Sequence, residues 1–354
     1  MIKHDIIVIG GGQSALACAY FLNREKHDYL LLDNQQSCGG AWLHGWDSLT
    51  LFSPATNSTL PGRPMPASQG KFPTREEVLA YLCDYERHYH IPVERPVEVV
   101  AVNKTTTGFE ITSNKATYLA KAVIGATGNW QSPFIPNVPG RDTFSGIQIH
   151  SAQYRNSNQF LGKKVLIIGG GNSGAQLFAE LSSVTDAAWS TQNPPAYLPD
   201  DVDGSVLFNQ ATAKYKAQQQ GVPYNAADYS LGNIVMVPSV VAARERGVLQ
   251  SKGAVKAIDN NGVIWDDGIH EYFDILIWCT GFQPATFPLK QLGIVADNQK
   301  VRTTGTKAVE INGLWLVGYG NWTGFASATL IGVGRSAKDT VNEITTFLNN
   351  YNQI

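Results

Sequence analysis

The sequence predicts an α/β protein with two dinucleotide-binding domains. Two glycine-rich turns, Gly10-Gly11-Gly12 and Gly169-Gly170-Gly171, each follow a short apolar run and each open a helical pattern. Continuous apolar runs of that length are the mark of strands buried on both faces of a parallel sheet. A chain of 354 residues also exceeds one typical core, so two domains accommodate it.

Composition sets outer limits. Hydrophobic residues at 43% and charged residues at 16% describe an ordinary soluble globular chain. A net charge of −2 leaves no footprint for nucleic acid or an anionic membrane. Cys18, Cys38, Cys83 and Cys279 show neither C-x-x-C nor zinc-like spacing, and they are expected to be buried thiols in a reducing compartment. No metal site is expected. With no secretory leader and no apolar run of membrane length, the expected location is the cytoplasm.

The first unit opens with a buried strand at residues 6–9, and Gly10-Gly11-Gly12-Gln13-Ser14-Ala15 follows at once. This is G-x-G-x-x-A in strand–turn–helix context. Gly10 permits the tight turn, Gly12 lets the backbone approach a pyrophosphate, and Ala15 allows close helix–sheet packing. The helical pattern from Ser14 to about Leu22, with Gln13 just ahead of it, presents free N–H groups and a positive dipole end to the phosphates. A second strand at 29–32 ends at Asp33, whose carboxylate is expected to bind a ribose diol.

Next come Gly39-Gly40-Ala41-Trp42 and Leu51-Phe52-Ser53-Pro54. Residues 60–73, with four prolines, cannot be regular structure. Thr74 to Glu77 reads as a capping box, with Val78, Leu79, Leu82 and Tyr85 on the apolar face behind it. Arg63, Lys71 and Arg75 read as solvated loop cations. Residues 97–118 read as an antiparallel meander turning at Gly108, and 122–128 as another buried strand, ending Thr127-Gly128.

The second unit repeats the plan. Residues 165–168 form a strand, and Gly169, Gly171 and Gly174 complete a full G-x-G-x-x-G through Asn172 and Ser173. The helix runs over about 173–182 and the next strand over 187–190. An acid after that strand would hold the 2′-hydroxyl of NADH, and an arginine would welcome the 2′-phosphate of NADPH. Thr191-Gln192-Asn193 is neutral, which predicts a site accepting both. Residues 200–253 are the least readable: polar and helix-like at 211–220, a candidate lid, and a strand or core helix at 234–241, where Pro238 argues against a central strand. A last buried strand at 274–279 ends in Thr280-Gly281, followed by a strand at 314–318, Asn321, and a helix to about residue 349.

Between the two turns lies FSGIQIHSAQY, residues 144–154. Phe144, Gly146, His150 and Tyr154 fit F-x-G-x-x-x-H-x-x-x-(Y/F/W). With both turns, GG-x-W at Gly39-Trp42 and both T-G passages, nearly the whole chain resembles the flavin-containing monooxygenases and the related Baeyer–Villiger enzymes. The Tyr154-Arg155 ending is unlike the W-P typical of the latter.

The resemblance implies a nicotinamide domain inserted into an FAD domain: residues 1–150 and 283–354 for FAD, 151–282 for NADPH or NADH. It implies that Gly40 and Trp42 cover the flavin, that Thr127-Gly128 and Thr280-Gly281 mark passages between domains, and that Asn321 stands where relatives carry an aspartate on the ribityl chain. Phe52, which also reads as core, and Trp42 are candidates for the pocket wall. Asn57 is a candidate for steadying the oxygenated flavin, although its local pattern departs from the family's. His150 either orients the junction or acts as a base.

The activity implied is NAD(P)H- and O₂-dependent oxygenation of a small molecule through a C4a-(hydro)peroxyflavin, on sulfides first, with amines and ketones as further candidates. An NAD(P)H oxidase, a flavin dehydrogenase or a non-enzymatic redox sensor remains an alternative, whereas a disulfide reductase lacks its C-x-x-C or C-x₄-C pair. Oligomeric state stays open, a homodimer included.

Overall fold

The computed structural model describes residues 1–224, 229–230 and 232–351. The chain divides into two compact units: Met1–Leu43, Pro54–Ser132 and Gln283–Ile354 form the first, His44–Ser53 and Pro133–Phe282 the second.

In the first unit, β1 (Ile2–Ile9) leads through α1 (Gln13–Arg24) to β2 (Tyr29–Leu32). Then come α2 (Arg75–His88), β3 (Val93–Glu94), β4 (Val99–Thr105), β5 (Gly108–Ser113) and β6 (Thr117–Gly125). The parallel sheet runs β3-β2-β1-β6, and the later strand Leu314–Leu316 pairs in parallel on the far side of β6. Ile6, Ile7 and Val8 are fully buried, as a central strand covered on both faces requires. The meander expected at 97–118 is present as the antiparallel β4–β5 pair laid against β6. The capping box is present too: Thr74 accepts from the Glu77 N–H while the Glu77 carboxylate accepts from the Thr74 N–H.

The second unit holds β7 (Ile147–His150), β8 (Lys164–Ile168), α3 (Asn172–Leu181) and β9 (Asp186–Ser190). It continues with α4 (Gly204–Gln219), α5 (Pro238–Glu245), the antiparallel β10 (Val255–Ile258), β11 (Gly262–Trp265) and β12 (His270–Tyr272), and finally β13 (Ile275–Trp278). Its parallel sheet is ordered β7-β13-β8-β9. The ambiguous run divides at Pro238: residues 234–237 lie outside any helix, and α5 begins at Pro238, whose missing N–H costs nothing in the first turn. Within the candidate lid, residues 225–228 and 231 lie outside the described residues.

The chain returns to the first unit with β14 (Thr303–Thr304), β15 (Lys307–Ala308), β16 (Leu314–Leu316) and α6 (Val333–Tyr351). α6 packs on α1 and is tied there by His27 Nε2 and Thr345 Oγ1, 2.7 Å apart. Among the described residues no helix is long and apolar enough to cross a membrane.

The cysteine expectation needs correction. Cys18 and Cys279 are buried thiols, each pushed up to about 12 by burial, but Cys38 and Cys83 form a disulfide. The loop after β2 folds onto α2, which brings together residues 45 apart in sequence.

Candidate functional site

The two glycine turns are built alike. A Cβ on Gly10 would run into the Ala126 carbonyl at the end of β6, and one on Gly169 would run into the Cys279 carbonyl at the end of β13. Both glycines hold positive φ, 119° and 140°, so the close approach and the backbone shape each demand glycine. Gly174 presses on the Gly169 carbonyl, which also accepts from the Trp189 indole N–H at 2.8 Å. This is the close helix–sheet packing expected of the third glycine.

Neither α1 nor α3 is capped by a side chain, and neither has an acid in its first turn. α2, by contrast, caps itself with Glu77. The first-turn N–H groups and dipole ends of α1 and α3 are therefore left for an external anion.

Asp33 and Thr191 occupy matching places. A Cβ on Gly11 would meet the Asp33 carboxylate, and one on Gly170 would lie 3.4 Å from the Thr191 Cβ. Where the first unit sets a carboxylate against its glycine turn, the second sets the uncharged Thr191, with its Cβ and methyl toward Gly170. Asp33 is buried and accepts from Arg95 Nε at 2.7 Å, while Arg95 also grips Glu86 through two bonds of 2.7 Å. Thr191 is buried and donates to Ser251 Oγ at 2.7 Å. Gln192 and Asn193 are exposed, and among the described residues their amides make no hydrogen bond.

Around the first turn, Gly40 lies directly on Gly12: a Cβ on Gly40 would reach the Gly12 Cα at 2.6 Å. Trp42 is held from two sides. Its indole N–H donates to Gln13 Oε1 at 3.2 Å, and Gln13 Nε2 donates to the Ala328 carbonyl at 2.7 Å. Arg75 donates to the Trp42 and Leu43 carbonyls at 3.2 and 3.0 Å, so this cation clamps a turn rather than facing solvent alone. Ser14 Oγ sits under Gly318, where a Cβ would collide with it. Thr127 Oγ1 lies 2.6 Å from the Tyr319 hydroxyl and donates to Ala285 O at 2.7 Å. Gly128 and Gly281, in the two T-G pairs, are both left-handed, at φ 64° and 82°. Asn321 is exposed and its amide makes no hydrogen bond among the described residues.

Among the described residues, two buried polar atoms of this unit lack a protein partner, Asn129 Oδ1 and Trp322 Nε1. They follow the carboxyl ends of β6 and β16, where parallel α/β sheets bind nucleotides. An acceptor and a donor awaiting partners fit a cofactor with polar edges such as FAD.

Other expected residues are already engaged. The Asn172 amide donates to the Asn233 carbonyl at 3.2 Å and accepts from the Val235 N–H at 2.8 Å, fixing the 233–235 segment to the start of α3. Ser173 is half-buried in the first turn of α3, and a Cβ on Gly171 would meet open space, leaving room for a phosphate. Thr280 Oγ1 donates to the Phe134 carbonyl.

His150 Nε2 lies 3.0 Å from the Gly281 carbonyl, and Nδ1 accepts from the Ala152 N–H at 3.1 Å. That pairing selects the neutral Nε2–H tautomer, and burial lowers the imidazole pKa. With both nitrogens spent inside the second unit, His150 offers a substrate neither donor nor acceptor. Tyr154, fully buried, donates to Glu180 Oε1 at 2.8 Å. Phe52 rests against Phe208, ring centroids 6.1 Å apart, and its carbonyl accepts from the Gly204 N–H. Asn57 ends a short 3₁₀ turn and accepts from Thr56 Oγ1 at 3.1 Å.

Sequence reasoning missed Arg95, Tyr319 and Ser251. Tyr319 stood beside Gly320-Asn321 and was within reach of a local argument. Arg95 and Ser251 carry no local motif.

Comparison with known proteins agrees with this geometry. A family model described as pyridine nucleotide-disulphide oxidoreductase matches residues 7–189. The structure of a flavin-containing monooxygenase from Stenotrophomonas maltophilia superposes with a TM-score of 0.90 at 46% identity, covering 98% of this chain and 100% of that one. An uncharacterised oxidoreductase, CzcO, from Bacillus velezensis is 31% identical over 96% of this chain and 99% of its own. The indole-3-pyruvate monooxygenase YUCCA4 of Oryza sativa is 25% identical over 96% of this chain and 86% of its own. The chain belongs to the pyridine nucleotide-disulphide oxidoreductase family and, within it, to the flavin-containing monooxygenases, enzymes that use FAD and NAD(P)H.

Proposed function

We propose that this enzyme uses NADH or NADPH to oxygenate soft nucleophiles, sulfides first, with amines and ketones as further substrates. The observation that supports the coenzyme reading is the uncharged Thr191 in the place where the first unit keeps the Asp33 carboxylate. A neutral site neither repels a 2′-phosphate nor selects for it by charge. FAD, when bound, supplies the oxygen activation. The chain's own residues bind and orient: Gly10, Gly12 and the α1 N-terminus hold the FAD pyrophosphate, Asp33 its ribose, and Asn321 the ribityl chain as a neutral partner. Trp42 covers the flavin beside the first turn, Asn57 steadies the oxygenated flavin, and within the second unit His150 acts as a positioning residue through Gly281.

The test is turnover of an aryl methyl sulfide by the FAD-loaded enzyme under ¹⁸O₂ with each coenzyme. Labelled sulfoxide is expected, with kcat/KM for NADH and NADPH within a hundredfold. Hydrogen peroxide without sulfoxide would convert the reading to an oxidase. A coenzyme ratio beyond a hundredfold would remove the permissive site.

A further inference from the structure

We propose that Ser251 is the hydroxyl that binds the adenosine 2′ position of the nicotinamide coenzyme, and that Thr191 acts by positioning it. The proposal rests on the reading of 191–193 as the ribose end of the coenzyme site.

Thr191 turns its Cβ and Cγ2 toward Gly170, where an added Cβ would lie 3.4 and 3.5 Å from them. Its hydroxyl therefore faces the other way and donates to Ser251 Oγ at 2.7 Å. That uses the only proton the Thr191 hydroxyl has. Ser251 Oγ accepts a second hydrogen bond from the Gly253 N–H at 3.1 Å. Both contacts fill acceptor positions on Ser251. Its own proton has no acceptor among the described residues, and the side chain is half-exposed.

The backbone fixes this delivery. Lys252 N–H donates to the Trp189 carbonyl at 2.8 Å, Thr191 N–H to the Gly253 carbonyl at 3.1 Å, and Ser190 Oγ to the same carbonyl at 2.8 Å. The 252–253 segment thus closes the free edge of β9 and holds Ser251 beside the end of that strand. Lys252 carries charge but spends it on Glu271, through contacts of 2.7 and 2.8 Å. The free donor at this point is consequently a neutral hydroxyl. It can donate to a ribose oxygen or, more strongly, to a phosphate oxygen.

The test measures binding rather than turnover. Calorimetric titration of the FAD-loaded enzyme would use 5′-ADP and 2′,5′-ADP, the second carrying the 2′-phosphate. Ser251→Ala is expected to weaken 2′,5′-ADP by roughly 10- to 100-fold and 5′-ADP by roughly threefold, because a charge-assisted hydrogen bond is lost in one case and a neutral one in the other. Ser251→Thr keeps the hydroxyl and should restore most of the 2′,5′-ADP affinity, which separates loss of the donor from a disturbed loop. Equal losses for the two ligands, no loss, or no recovery with threonine would overturn the proposal. The permissive site fails by a different result: a wild-type ratio between the two ligands beyond a hundredfold.

Discussion

Arg95 Nε donates to Asp33 Oδ2 at 2.7 Å, with only 13% and 4% of the two side chains exposed. The expected ribose carboxylate is thus already half of an ion pair, and Glu86 completes a buried triad through the remaining Arg95 nitrogens. Arg95 is expected to aim Asp33 rather than touch the cofactor itself. Removing one partner of a buried pair costs about 3–5 kcal/mol, because the charge left behind stays desolvated. Arg95→Met should therefore lower the urea unfolding free energy by about that amount and weaken FAD binding, read by fluorescence on reconstituting the apoprotein. An unchanged FAD Kd in a protein of lowered stability would leave Arg95 a purely structural role.

Gly40 on Gly12 yields a second prediction. Gly40→Ala must move the 39–42 segment off the first turn, since backbone rather than a flexible side chain fills the space. The expected result is protein purified with little flavin, seen in the ratio of visible to ultraviolet absorbance. Gly162→Ala is the control, because Gly162 also has positive φ, 69°, but nothing lies within 4 Å of an added Cβ. It should cost only about 1–2 kcal/mol of backbone strain and keep its flavin.

These two cases show what a sequence can disclose. Gly10, Gly169, Gly174 and the Thr74–Glu77 box were legible because their reasons lie within one strand–turn–helix unit or one helical turn. The meaning of Asp33 was legible only in part: its place at a strand end is local, but its partner Arg95 is 62 residues away. Cys38–Cys83 and Thr191–Ser251 escaped for the same reason, as did the grouping of His44–Ser53 with the second unit. Asn172 shows the converse. A helix N-terminus suggests a ligand-facing amide, yet tertiary packing spends it on Asn233 and Val235.

Gln192 is exposed and its amide makes no hydrogen bond among the described residues, so a charge there should act on the coenzyme with little structural consequence. Gln192→Arg should raise the ratio of kcat/KM for NADPH over NADH by about tenfold, and Gln192→Glu should lower it by about tenfold, as one partly screened charge would. Steady-state kinetics with both coenzymes decides this. A ratio that fails to move in opposite directions would place the 2′ position elsewhere.

The Cys38–Cys83 disulfide joins the loop just before Gly39-Gly40 to α2, the helix that also carries Arg75 and Glu86. Reduction should destabilise the protein by about 2–4 kcal/mol. The Cys38→Ser/Cys83→Ser double variant should match reduced wild type and ignore dithiothreitol. Thermal melts followed by flavin fluorescence, with and without reductant, give the comparison; a wild-type melt indifferent to reductant would show that the staple carries no stability.

His150 gives the fold a pH dependence. Burial lowers its pKa below the ordinary histidine value, against a smaller opposing effect of the Gly281 carbonyl. The unfolded chain therefore binds the proton first as pH falls. Stability from this group is complete above about pH 6.5 and declines as pH drops from there through the lower folded-state pKa. His27, also lowered mainly by burial, contributes with the same sign, so the wild-type slope has two sources. Replacing His150 with glutamine removes one of them. Between about pH 7.5 and pH 5, wild type should lose more unfolding free energy in urea than His150→Gln does. Equal losses would mean that the His150 imidazole takes up its proton in the folded protein as easily as in the unfolded chain, and that the bond Nδ1 accepts from the Ala152 N–H, which needs the neutral ring, adds nothing to the fold.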